Sequence, residues 1–138
     1  MFISLTVFGI ANLFKSHNRF PIRCAPDTMS ISHTVLFQFK AEAMVDDVKA
    51  ACARFLALKD SCIHPTTGTR YIISLKGGKD NSPETLQNGI THGFVVEFAS
   101  AEDRDYYVMT DPAHQAFVTS IGDLVEKAIV VDFSDGVY

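Results

Sequence analysis

The stretch SHTVLFQFKAEAMVDDVKAACARFLALKD, residues 32–60, decides the fold. Its first part repeats every second residue: His33, Val35, Phe37 and Phe39 alternate with Thr34, Leu36, Gln38 and Lys40. Side chains of a strand point alternately to opposite faces, so this segment is a strand. From residue 43 to 60 the period changes. Val45, Val48, Cys52, Phe55 and Leu56 recur at spacings of three and four, and Asp46, Asp47, Lys49, Arg54 and Lys59 take the other face. That is an amphipathic helix, with its acids at the positive end of the helix dipole.

Downstream, Pro65 and Gly68 close a connection. TRYIISL, 69–75, reads as a second strand, because β-branched and aromatic residues suit a pleated, half-buried surface. GGKDNSPETLQNG, 77–89, reads as a long polar loop rich in turn-forming residues. Its Gly77-Gly78-Lys79 lacks the rest of a phosphate-loop signature and reads as a turn. Residues 91–98, THGFVVEF, form a third strand with Phe94, Val96 and Phe98 on one side. Ser100, followed by Glu102 and Asp103, is a helix N-cap with acids in the first turn. Asp111-Pro112 ends that helix and starts another, which runs to a stop at Gly122. EKAIVVDF, 126–133, is the last strand, and SDGVY is a polar tail.

The order is β-α-β-β-α-β with a broken second helix, an α+β, ferredoxin-like arrangement. Helices cover one face of such a sheet. Leu36, Val95, Ile129, Val131 and Phe133 fall on the other. An apolar patch of that extent does not face water in a stable monomer, so the open face is expected to pack on a second copy.

Charge and cysteine usage narrow the function classes. Residues 1–28 hold Lys15, Arg19 and Arg23 against Asp27, and the remainder carries the acid excess that brings the chain to −4. An acidic body without a basic stripe argues against nucleic-acid binding. Cys24, Cys52 and Cys62 form no C-x-x-C pair, which fits reduced thiols in the cytoplasm better than a disulfide framework. The five histidines show no ligand spacing, so no metal is expected. Residues 1–28 read as an N-terminal extension ahead of a domain over 29–138. The apolar run at 2–14 is too short to span a bilayer and no basic residue precedes it, so secretion is disfavoured. The extension is either flexible, with Met29 as an alternative start, or a mitochondrial presequence.

HTVLFQFK at 33–40, THGFVVEF at 91–98, SAEDRDYYVMTDPAHQAF at 100–117 and VVDF at 130–133 together resemble the stress-responsive A/B barrel (Dabb) family. DPAHQAF, 111–117, is the strongest piece. The resemblance spans residues 29–133 and implies a homodimeric α/β barrel needing no cofactor. Many members are small stress-associated proteins, and some are polyketide cyclases of the olivetolic acid cyclase type. Those members close a ring by an intramolecular aldol step with a His/Tyr acid-base pair.

Carried onto this chain, the resemblance implies catalytic roles for His114, Tyr107, Asp132 and His33. One extra residue precedes Pro112, which leaves Tyr106 as an alternative to Tyr107, since a one-residue shift turns a helical side chain by about 100°. His114 can take a proton from carbon next to a carbonyl. Asp132 is expected to orient it, and a tyrosine hydroxyl can support an enolate oxygen. Val35, Phe37, Phe94 and Val96 are expected to line an apolar ligand space between sheet and helices. The same residues can equally serve structure alone, with His114 and Asp132 satisfying each other in a filled core. Three functions therefore stay open: a stress-response dimer, non-catalytic or binding a small apolar ligand; a cofactor-independent polyketide cyclase or lyase; or an interaction module.

Overall fold

A computed structural model describes residues 29–138. The extension over 1–28, with its targeting alternatives and Cys24, lies outside the described residues. The elements are β1 (Ile31–Phe39), α1 (Val45–Ser61), β2 (Ile72–Lys79), β3 (His92–Phe98), α2 (Ala101–Met109), α3 (Pro112–Ile121) and β4 (Val125–Ser134). The strands form one antiparallel sheet in the order β2-β3-β1-β4. This is the ferredoxin-like arrangement, with the two halves of the split motif interleaved.

The helix-facing side of the sheet carries the core. Val35, Phe37 and Phe39 of β1 and Phe94, Val96 and Phe98 of β3 are buried there, under Phe55 and Leu58 of α1 and Phe117 and Ile121 of α3. Phe55 is the hub, its ring centre 4.6 Å from Phe94 and 4.9 Å from Phe117. Such tilted aromatic contacts add to the gain from burying the rings. The opposite face has no helix. Leu36 and Val95 are half-buried on it, and Ile129, Val131 and Phe133 are exposed.

Local signals place the helix starts. Ser100 Oγ accepts a hydrogen bond from the Asp103 amide at 3.1 Å, which caps α2. Asp111 Oδ1 accepts from the Ala113 and His114 amides at 2.8 and 3.2 Å, and Pro112 takes the first position of α3. Gly122 ends α3 in a right-handed conformation, so the chain leaves without the left-handed turn that glycine usually supplies.

One expectation is corrected. The second strand starts at Ile72 and runs on through Gly77 and Gly78 to Lys79, a segment the sequence suggested was loop. The pairing continues through the glycines, Gly77 against Phe94 and Gly78 against Gly93. Gly77 is required rather than merely tolerated: a Cβ there would meet the Phe94 ring and the Gly93 carbonyl. Thus a residue pair that reads as a turn is a place where a strand passes close over an aromatic ring. Among the described residues, no helix is long and apolar enough to cross a membrane.

Candidate functional site

The candidate site lies where α2 and α3 cross the β1–β4 half of the sheet. His33 of β1 and Asp132 of β4 are cross-strand partners, and an antiparallel register points both to the helix side. His33 Nδ1 donates to Asp132 Oδ1 at 2.6 Å, and the His33 residue is 5% exposed. The other carboxylate oxygen of Asp132 accepts from Arg104 Nη1. Arg104 sits on α2, and its Nε donates to Asp105 Oδ1 at 2.7 Å. The expected Asp132–His114 pair is therefore corrected: Asp132 serves His33, because strand register sets its partner before any helix residue can compete.

His114, in the first turn of α3, stacks on Tyr107 of α2 with ring centres 4.0 Å apart. The choice between the two tyrosines is resolved by helix rotation. Tyr107 turns inward against His114 and His33, its ring centre 5.8 Å from that of His33. Tyr106 turns to Tyr71 and His64. Burial, and next the nearby His33 ring, push His114 below the ordinary imidazole value, with Asp111 opposing. A group so shifted is uncharged at neutral pH. Burial pushes the Tyr107 phenol up, and the neighbouring Cys62 and Asp111 add to this. Tyr107 is fully buried, and neither its hydroxyl nor His114 Nδ1 has a hydrogen-bond partner among the described residues.

A cavity of about 520 Å³ opens between this half of the sheet and α3. His33, Val35 and Phe37 line it from β1, Val125, Ala128 and Val130 from β4, and His114, Phe117, Val118 and Ile121 from α3. Among the described lining residues the two histidines are the only ionisable side chains. Val108, rather than Tyr107, is the α2 contribution beside them. Of the expected ligand-lining residues, Val35 and Phe37 face this space. Phe94 and Val96 do not: they belong to β3, on the side of β1 away from β4, where both are buried and Phe94 packs on Phe55 of α1.

Sequence reasoning missed Val108, Val118 and Val130, whose only signal was apolar residues in excess of what the core consumes. It also missed Arg104, which stands between two acids, Asp103 and Asp105, on α2. A larger hollow, about 640 Å³, lies on the open side of the sheet between Leu36, Ile129 and the loop at 80–90. The more apolar space, with two imidazoles on its wall, is the better ligand site, since apolar walls with a few placed polar groups characterise such sites.

Behind His114 a second polar cluster holds the start of α3. Asp111 is 1% exposed, and its Oδ2 accepts from the Tyr71 hydroxyl at 2.6 Å. Burial, then the Asp111 carboxylate, push the adjacent Cys62 thiol up to about 12. A thiol in that state is inert, so Cys62 is packing material rather than a nucleophile. Among the described residues, no three His, Cys, Asp or Glu side chains are gathered as metal ligands would be.

A family model described as the stress responsive A/B barrel domain matches residues 31–135. Among solved structures, protein At3g17210 from Arabidopsis thaliana is similar, with 27% identity and a TM-score of 0.67 over 78% of this chain and 97% of that one. Hydroxynitrile lyase from Passiflora edulis shares the fold at 18% identity and a TM-score of 0.68, over 80% of this chain and 98% of that one. A dimeric ferredoxin-like protein from Bacteroides fragilis does so at 20% identity and a TM-score of 0.56, over 76% and 95%. No curated protein matches.

Proposed function

Because the chain belongs to the stress responsive A/B barrel domain family, we propose that it works as a homodimer that binds a small, neutral, largely apolar ligand in the histidine-ended cavity. The observation that carries this reading is the lining: apolar throughout, save for His33 and His114. Such a wall gains by taking apolar surface from water. It offers nothing to balance a ligand's net charge. Two imidazoles can hydrogen-bond a carbonyl or hydroxyl at one end of the ligand, which sets its orientation.

A second reading, a cofactor-independent cyclase or lyase acting on a polyketide-like chain, is favoured by a separate observation. His114 is held uncharged by burial beside a second imidazole. A neutral imidazole can accept a proton from carbon next to a carbonyl and return it later. In this reading Tyr107 supports His114 by stacking. Asp132 acts through His33.

The test is a thermal-shift screen of aromatic compounds, β-polyketo thioester mimics and α-hydroxynitriles on the wild-type protein and His114→Ala in parallel. A ligand that binds only the folded state raises apparent stability by mass action. A shift in wild type that is lost or reduced in the variant supports the cavity as a ligand site. Equal shifts in both proteins would place the binding elsewhere. No shift with any compound would sink the reading.

A further inference from the structure

Asp132 stands between a buried partner and a half-buried one. Its inner oxygen holds His33, and its outer oxygen faces Arg104, whose side chain is 23% exposed. Arg104 is itself tied down, since its Nε holds Asp105. It lies one helical turn before Tyr107, on the same face of α2, and so reaches the β4 edge while Tyr107 reaches His114. Near Arg104 the outer side of Asp132 opens on a shallow hollow with Ile31, Phe133 and Val137. A carboxylate at such an edge has solvent as a competing partner for both oxygens. Its inward aim therefore needs an anchor on the outside.

We propose that Arg104 is a positioning residue: by gripping the outer oxygen of Asp132 it keeps the inner oxygen on His33 Nδ1, which fixes the neutral ring as the Nδ1–H tautomer and presents Nε2 to the cavity as a hydrogen-bond acceptor. The inference rests on the cavity being a ligand site only for its last step. The tautomer itself is a property of the free protein. The chemistry follows from imidazole: when one ring nitrogen carries the proton, the other holds the lone pair. An orienting carboxylate decides which is which, and placing the wrong tautomer at a catalytic histidine abolishes its use as a base. The guanidinium fork suits this task better than an ammonium, because one planar group can hold two carboxylates at once. Here they are Asp105 and Asp132. His33, Asp132 and Arg104 thus form a line from the cavity to the surface, and His114 stands apart from it.

Full-length protein with ¹⁵N-labelled histidine tests this in the absence of any ligand. Two-bond proton–nitrogen correlation spectra report the tautomer of each ring, and His33→Gln identifies the His33 signals by their loss. Wild type should show His33 only as the Nδ1–H form. Asp132→Asn should reverse it. Arg104→Met, which keeps the aliphatic stem, and Arg104→Ala should both turn the single form into a mixture while the His114 signals stay in place. Arg104→Lys should restore part of the Nδ1–H signal.

A merely structural role would lower thermal stability without changing the tautomer. Two variants at Arg104 guard against loss of folding in either. Retention of a pure Nδ1–H His33 in every folded Arg104 variant would overturn the proposal, as would a wild-type ring in the other tautomer. A failed ligand screen with the expected tautomer change would remove the binding reading and leave the positioning role of Arg104 intact.

Discussion

The phenol of Tyr107 is the most exposed to test of all the side chains at the site, although it is wholly buried. Its hydroxyl has no partner among the described residues. A buried polar group without a partner retains its desolvation cost, so removing it is neutral or favourable. Tyr107→Phe is expected to leave unfolding free energy within about 0.5 kcal/mol of wild type, or to raise it. Chemical denaturation checks this, and a loss above that would show a hydrogen bond to the hydroxyl.

His114 supplies a pH dependence. Its folded value is lowered, by burial first, while in the unfolded chain it takes a proton near pH 6.5. The folded state thus binds fewer protons below that point. The corresponding stability is present above pH 6.5 and is lost as pH falls through the lowered value. His92, lowered by burial and then by Lys79, acts in the same sense. Denaturation midpoints should fall between pH 7 and pH 5, and His114→Gln should flatten part of that fall.

Among the elements, β2 separates two glycines that look alike in sequence. A Cβ on Gly77 would collide with the Phe94 ring and the Gly93 carbonyl, whereas one on Gly78 would meet nothing within 4 Å. Gly77→Ala is therefore expected to cost about 2 kcal/mol or more, as overpacked sites do. Gly78→Ala should be neutral, or stabilise by about 0.5 kcal/mol through the unfolded chain. Equal effects of the two in thermal melts would contradict the close approach of β2 to Phe94.

The break between α2 and α3 has the same character. Asp111-Pro112 announces it in sequence, but Asp111 also accepts from Tyr71 across the core. One residue thereby ties the start of α3, and with it His114, to the chain just before β2.

For the whole molecule, the decisive feature is the uncovered face of the sheet. Ile129, Val131 and Phe133 are exposed on it beside Leu36 and Val95. A two-fold pairing through that face buries the same patch on both copies. Val131→Asp would place a charge at the centre of that interface. It is expected to turn a dimer into a folded monomer in size-exclusion chromatography with light scattering, with little change in circular dichroism. A wild-type protein that runs as a monomer at micromolar concentration would exclude the pairing. The helix-side cavity lies on the opposite face of the sheet from this patch, so the variant should still show any ligand-induced thermal shift.

The sequence by itself determined the element order, the N-caps of α2 and α3 and the two faces of β1, β3 and β4. These are local matters: side-chain period, capping chemistry and turn residues act over a few positions. Four pieces of sequence in the right order, 33–40, 91–98, 100–117 and 130–133, pointed to the family that the match over 31–135 then showed. Only the tertiary structure decided which polar groups meet. Asp132 could be assigned to His114 by analogy, but the β1–β4 register brings it to His33. Phe94 and Val96 read as pocket walls by alternation, but the strand order places them on β3, across β1 from the β4 wall of the cavity. Gly77 reads as a turn by its residue type, but it pairs with Phe94, whose ring a Cβ at Gly77 would meet. Each of these depends on neighbours far away along the chain, and periodicity shows which face a residue occupies without showing what stands opposite.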